Sequence, residues 1–271
     1  MSEVVRRYYD GCVEREWERL ARPYRRLELA STLRLIDEHF PPRGRVLDVG
    51  GGPGRYTMEL ACRGYVVALI DLAPGNVARA REELARAGLT AEAVREGDAR
   101  DLRPIPDRSF DAALMLGPMY HIVEESDRRA ALLELRRVLK PGAPAIVGFL
   151  NPWGVLRSGL MEFPEQYADE ARTRKLLDTC VQVGEQTAFT EAAFLTPPQA
   201  IAEVRAAGFA VDTYAGVEGF AAGMLSEVER IAAADPAAYE VILRLVAETC
   251  DHPAFRDCTE HLHAVVRSLS A

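Results

Sequence analysis

The sequence has no cysteine pair at CxxC spacing: its five cysteines, Cys12, Cys62, Cys180, Cys250 and Cys258, are odd in number and scattered. That spacing suggests neither a disulfide framework nor a zinc cluster, so no metal ligands are expected and a reducing compartment is implied. Long apolar runs are missing as well, and no uninterrupted stretch reaches the length needed to span a bilayer. The start of the chain runs Met1-Ser2-Glu3-Val4-Val5-Arg6-Arg7 into Tyr8-Tyr9-Asp10, without the apolar segment of an export signal. A cytoplasmic location with no membrane partner is the expectation. A basic excess is also absent. The net charge of −8 and pI near 5.3 oppose a standing attraction to phosphate backbones or anionic surfaces. Nucleic acid is therefore not an expected partner, and small molecules are. No internal repeat or low-complexity segment occurs beyond the short alanine run at 232–234.

What is present is organised around Val46-Leu47-Asp48-Val49-Gly50-Gly51-Gly52-Pro53-Gly54-Arg55-Tyr56. An apolar run of strand length breaks into four glycines within five residues, and Thr57-Met58-Glu59-Leu60-Ala61 then resumes with helical character. Glycines there lack a Cβ and reach positive φ, so backbone N–H groups can approach a polar ligand beside the positive end of a helix dipole.

With 271 residues the chain is long enough for one large α/β domain with insertions. Residues 3–39 suggest two helices broken near Pro23, and Pro41-Pro42-Arg43-Gly44 stops helix formation before the first strand. Strands are expected at 45–49, 66–71, 90–96, 112–116 and 143–150, with helices at 55–63, 74–87 and 127–139 between them. The run Val66 to Ile70 closed by Asp71 has the continuous apolar character of a parallel strand buried on both faces. This alternation predicts a doubly wound Rossmann-like parallel sheet with ligands at the carboxyl ends of its strands. Residues 151–195 break the pattern and carry Trp153, Phe163, Tyr167, Phe189 and Phe194, which suggests a lid. A helix from 196 to 207, a strand at 209–217, a second helical insertion at 218–257 and a last strand near 260–267 complete the chain.

The order VLDVGGGPGRY, an acid closing the second strand at Asp71, GDARDL, FDAALMLGPMYH and VLKPGA resembles the class I S-adenosylmethionine-dependent methyltransferases. The resemblance covers roughly residues 40–217 and, more loosely, the final strand. It implies a seven-stranded sheet whose last strand is antiparallel and lies between strands 5 and 6; the N-terminal helices and helical insertions carry little of the family's signature and are expected, from their own residues, to form a cap. It also implies one methyltransferase domain over 1–271: N-terminal helices at 1–40, cofactor-binding core at 41–150, lid at 151–195, second insertion at 218–257, sheet completion at 196–217 and 258–271.

Site residues follow from the same resemblance. Asp48 with Gly50, Gly52 and Gly54 would surround the methionine part of S-adenosylmethionine, and Asp71 with Leu72 would hold its ribose. A carboxylate accepting two hydrogen bonds from a vicinal diol fits that role. Asp98 and Ala99 match positions near the adenine, and Leu116 and Gly117 match the segment flanking the methyl group. Each acid has a plainer reading as well: Asp48 could orient its own loop, Asp71 could cap a helix, and only one of Asp98 and Asp101 is expected to matter.

Methyl transfer from a sulfonium to a small-molecule acceptor is an in-line displacement, leaving S-adenosylhomocysteine, and a base is optional. His121 is the candidate base and Tyr120 a candidate contact to the acceptor, although His121 could equally be an ordinary surface histidine. Tyr8, Tyr9 and Trp17 could close over the cofactor or be simple core. Gly117-Pro118-Met119-Tyr120 departs at two positions from the Asn/Asp-Pro-Pro-aromatic motif of enzymes that methylate amines of nucleic-acid bases. The GxGxG spacing of Gly50, Gly52 and Gly54 disfavours a nicotinamide-dependent oxidoreductase, whose fingerprint is GxGxxG. No acidic constellation suited to a polyamine marks an aminopropyltransferase. A non-catalytic cofactor-binding protein of the same fold stays open, as does a monomer or homodimer.

Overall fold

The computed structural model describes residues 3–182 and 189–269. Three helices open the chain, α1 (Glu3–Asp10), α2 (Val13–Arg19) and α3 (Arg26–His39). One more break than the sequence suggests falls at Gly11 and Cys12, where glycine's backbone freedom disfavours continuing the helix. The core follows as β1 (Arg45–Val49), α4 (Arg55–Cys62), β2 (Val66–Asp71), α5 (Pro74–Arg86), β3 (Ala93–Glu96) and β4 (Ala112–Met115). It continues with α6 (Pro118–His121), α7 (Glu125–Val138) and β5 (Pro144–Leu150). The first insertion holds α8 (Pro152–Glu162), α9 (Glu170–Thr179), β6 (Val181–Gln182) and β7 (Ala192–Ala193). The remainder is α10 (Pro197–Ala206), β8 (Phe209–Gly216), α11 (Leu225–Ala234), α12 (Pro236–Thr249) and β9 (His261–Ser268).

Seven strands form one sheet in the order β3-β2-β1-β4-β5-β9-β8. The first five are parallel, and β9 runs antiparallel between β5 and β8. The antiparallel last strand therefore sits where the resemblance places it. Val46, Leu47 and Val49 of β1 are fully buried, as expected for a strand covered on both faces by helices. On one face Leu132, Leu135 and Val138 of α7 pack with Val204 of α10, and on the other Leu35 and Ile36 of α3 pack with Leu60 of α4. Each such buried side chain contributes about 1.5–3 kcal/mol.

The insertion carrying α11 and α12 packs on the N-terminal helical segment. Val228, Tyr239, Leu243 and Val246 form a cluster with Tyr24 and Leu27. The Tyr239 hydroxyl donates to the Pro23 carbonyl at 2.9 Å, and the Gly223 N–H donates to the Tyr24 hydroxyl at 2.8 Å. Thus this insertion braces α3 and the turn before it. No helix among the described residues is long and apolar enough to cross a membrane.

Candidate active site

Parallel strands leave their carboxyl ends on one edge, and the order reverses between β1 and β4. A cleft of roughly 850 Å³, counted out to its mouth, opens there. The turn after β1 forms its floor. A Cβ on Gly51 would stand 2.7 Å from the Asp48 carboxylate, so only glycine lets the turn fold back over that acid. Asp48 is 2 % exposed and accepts the Thr57 hydroxyl at 2.7 Å. Burial raises its pKa to about 7; the Thr57 hydrogen bond opposes this, and nearby Asp71 adds to it.

Asp71 closes β2 at the same edge. One oxygen accepts the Gly52 N–H at 2.8 Å, and the other accepts the Ala73 N–H at 2.9 Å and the Asn76 amide at 3.2 Å. Burial nevertheless raises its pKa. Pro74 begins α5 at a position where no N–H is needed, which places Asn76 in the first turn beside Asp71. The side-chain oxygen of Asn76 is buried without a hydrogen-bond partner, in the cleft wall. The wall here is therefore rich in acceptors, and one is unsatisfied.

After β4, Leu116 and Gly117 line the cleft and the chain makes one helical turn, α6. Pro118 starts that turn with φ already set. It carries Tyr120 and His121 into the wall. The Tyr120 hydroxyl has no hydrogen-bond partner among the described residues, whereas both ring nitrogens of His121 are engaged. Nδ1–H donates to the Glu191 carbonyl at 2.9 Å, which leaves Nε2 to accept the Tyr9 hydroxyl at 2.6 Å. Burial lowers the His121 pKa to about 4, so the ring is neutral at pH 7.

The opposite wall comes from the N-terminal helices: Val5, Arg6 and Tyr9 of α1, Glu16 and Arg19 of α2, Leu20, and Glu28 of α3. Glu28 is 3 % exposed and receives the Arg19 guanidinium at 2.5 and 3.2 Å. Glu16 approaches the same guanidinium at 3.4 Å. Trp17 lies outside the wall, with the Arg55 guanidinium stacked 3.6 Å from its ring centre. Behind Tyr120, Glu218, Glu260 and His261 converge; His261 Nδ1 meets Glu218 at 2.6 Å and Arg25 meets Glu260 at 3.0 Å. Burial works against a charged His261, but Glu28 and Glu218 outweigh it and raise the pKa to about 9.

Of the residues singled out from sequence, Asp48, Gly50, Gly52, Asp71, Leu72, Leu116, Gly117, Tyr120 and His121 share this wall. Gly54, Asp98 and Ala99 are not part of it. Gly54, at φ +90°, caps the start of α4 and lets it approach α5, where an added Cβ would stand 3.1 Å from that of Ala80. Asp98 accepts the Arg100 backbone N–H at 2.9 Å and its guanidinium at 2.8 Å, and Ala99 is buried in the core. The expected lid differs in part: among the described residues, none of 151–195 lines the cleft itself, where α1 and α2 supply the cover, but Glu191 accepts from His121 and Phe189 packs against its ring from behind. Arg19, Glu28 and Asn76 gave no signal in sequence, because helix spacing alone does not show which polar residue faces a cleft.

Residues 46–142 match a family model described as a methyltransferase domain. The core is a class I S-adenosylmethionine-dependent methyltransferase domain. A demethylmenaquinone methyltransferase of Tropheryma whipplei (strain Twist) is 36% identical over 102 residues, covering 38% of this chain and 40% of that protein. A tRNA 5-carboxymethoxyuridine methyltransferase of Escherichia coli K12 is 30% identical over 149 residues, 52% of this chain and 54% of that protein. These matches span little more than half of the relatives' own length at most. An S-adenosylmethionine-dependent methyltransferase structure from Methanosarcina mazei superposes with a TM-score of 0.60 over 88% of this chain and 98% of that one. At 17% identity that likeness is one of fold. S-adenosylmethionine is the cofactor of the family, and the wall of this methyltransferase domain suits it chemically. An unsatisfied acceptor beside Asp71 suits a diol, and a buried carboxylate at Asp48 favours a nearby cation.

Proposed function

We propose that the protein transfers a methyl group from S-adenosylmethionine to a small-molecule acceptor held between Tyr120, Tyr9 and the Glu16–Arg19–Glu28 wall. The observation that carries this reading is one cleft at the strand reversal whose lining brings Asp71 and Asn76 together with Tyr120, Tyr9, Glu16, Arg19 and Glu28. When bound, the cofactor supplies an electrophilic methyl on a sulfonium. Asp71 and Asn76 accept from the ribose hydroxyls, and Asp48 balances the positive amino end through the glycine turn. Leu116 and Gly117, which line the same cleft, would stand beside the reacting end of the cofactor.

Tyr120 offers its unpartnered hydroxyl to the acceptor. His121 holds Tyr9 and so fastens α1 over the cleft; with its pKa near 4 it is a hydrogen-bond acceptor more than a strong base. Enclosure by α1 and α2 together with the chain's net charge of −8 supports a small molecule over a nucleic acid. Calorimetric titration with S-adenosylhomocysteine beside NADH, followed by an isotope-labelled methyl transfer assay, tests the proposal. Saturable binding of S-adenosylhomocysteine without NADH binding is the expected result. Binding of NADH instead would overturn it.

A further inference from the structure

The chamber beyond the cofactor end has an unusual charge balance. Its own lining holds Glu16 and Glu28 against Arg6 and Arg19, and beyond Tyr120, whose ring centre lies 6.5 Å from that of His261, three carboxylates, Glu162, Glu218 and Glu260, stand against two cations, Arg25 and His261. Glu28, Glu218 and His261 are buried, so water screens their field poorly. Arg19 and Arg6 are already paired: Arg19 meets Glu28 at 2.5 Å and Glu16 at 3.4 Å, and Arg6 meets Glu3 at 2.6 Å and Asp10 at 3.8 Å. An acceptor carboxylate or phosphate would have to displace one of these. The chamber therefore favours added positive charge and opposes added negative charge.

A second, independent observation concerns the proton. Alcohol and phenol acceptors need it removed as they attack, which calls for a base in the wall. The histidine of this wall has Nδ1 on the Glu191 carbonyl and Nε2 on the Tyr9 hydroxyl.

We infer that the acceptor is a small molecule presenting an uncharged amine nitrogen to the methyl group, with the Glu16–Arg19–Glu28 wall selecting it. This rests on the methyl-transfer reading above and specifies its substrate class. The nitrogen lone pair forms the new N–CH3 bond while the S–CH3 bond breaks and its electron pair stays on sulfur. Sulfur ends neutral and nitrogen ends positive, so no proton moves in this step. The positive charge travels toward the carboxylates, and the wall thus stabilises the transition state more than the ground state.

The test is labelled methyl transfer to matched sets of primary and secondary amines, phenols and carboxylic acids, with product position read by mass spectrometry. The purified full chain is used, and S-adenosylhomocysteine affinity is measured in parallel. The expected result is methylation confined to amines, with Glu16→Gln lowering kcat/KM for the amine at least about tenfold while S-adenosylhomocysteine affinity shifts less than about twofold. Tenfold corresponds to about 1.4 kcal/mol of lost transition-state stabilisation. Preferred methylation of phenols or carboxylates, or an unchanged amine kcat/KM in Glu16→Gln, would overturn the inference while the methyltransferase reading stands. So would the absence of amine turnover by protein that binds S-adenosylhomocysteine. Loss of S-adenosylhomocysteine binding by the unaltered chain would instead overturn the methyl-transfer reading itself.

Discussion

The hydroxyl of Tyr9 lies 2.6 Å from Nε2 of His121, tying the first helix of the chain to the turn that follows β4. The bond is part-buried and links the cover to the cleft wall. Tyr9→Phe leaves Nε2 desolvated without a donor, which costs about 1–3 kcal/mol. The expected outcome is a loss of that size in urea unfolding, together with faster amide hydrogen exchange confined to α1. Unchanged exchange in α1 would show that the bond does not fasten the cover.

Asp71 and Asn76 offer their oxygens to the same part of the cleft. Asp71→Ala removes a carboxyl acceptor and also releases the Gly52 and Ala73 N–H groups, so S-adenosylhomocysteine affinity should fall about 30- to 100-fold, or about 2–3 kcal/mol. Asn76→Ala removes one neutral acceptor and should cost about tenfold. Calorimetric titration reads both. Equal affinity in the Asp71 variant and the unaltered chain would refute the ribose assignment.

Asp48 predicts a proton linkage. Its pKa in the folded protein is about 7, so the carboxyl is largely protonated at pH 6. A bound cationic amino group favours the ionised form, and binding at pH 6 should therefore release a proton and tighten as pH rises toward 8. Titration in buffers of different ionisation enthalpy measures the release. Asp48→Asn should abolish it.

His261 predicts the opposite slope for stability. Its folded pKa is raised from 6.5 to about 9, so its contribution is fully present below pH 6.5 and is lost as pH rises through 9. The contribution is on the order of 3 kcal/mol. Unfolding midpoints measured from pH 6.5 to 9.5 should fall, and His261→Gln should flatten that fall while lowering stability at pH 6.5.

The parts of this protein legible in its sequence are those whose signals are local. Val46 to Val49 and Val66 to Asp71 are apolar runs closed by glycines or an acid, and burial on both faces requires that composition wherever it occurs. Asp48 and Asp71 end such runs, so their place at the carboxyl edge could be read directly. The cover could not. Tyr9 meets His121 across 112 residues of sequence, and Arg19 meets Glu28 between two helices whose separate patterns look ordinary. Asp98 matched a motif, yet Arg100, two residues on, draws its carboxylate into a local pair. A motif records residue type and spacing, whereas the direction of a side chain is decided by neighbours the motif does not contain.

The position of β9 in the sheet has a consequence for how the molecule reaches its native state. Residues 261–268 pair with β5 on one side and β8 on the other, so both neighbours keep an open hydrogen-bonding edge until this strand arrives. The pairing of β5 with β9 joins segments more than a hundred residues apart, which makes closure entropically slow. Sheet completion is thus a late event on the folding path, and chaperone binding or strand-swapped association would compete at those two edges. Substitutions that weaken β9 should show themselves first as poor recovery from denaturant, before any change in the chemistry of the finished protein.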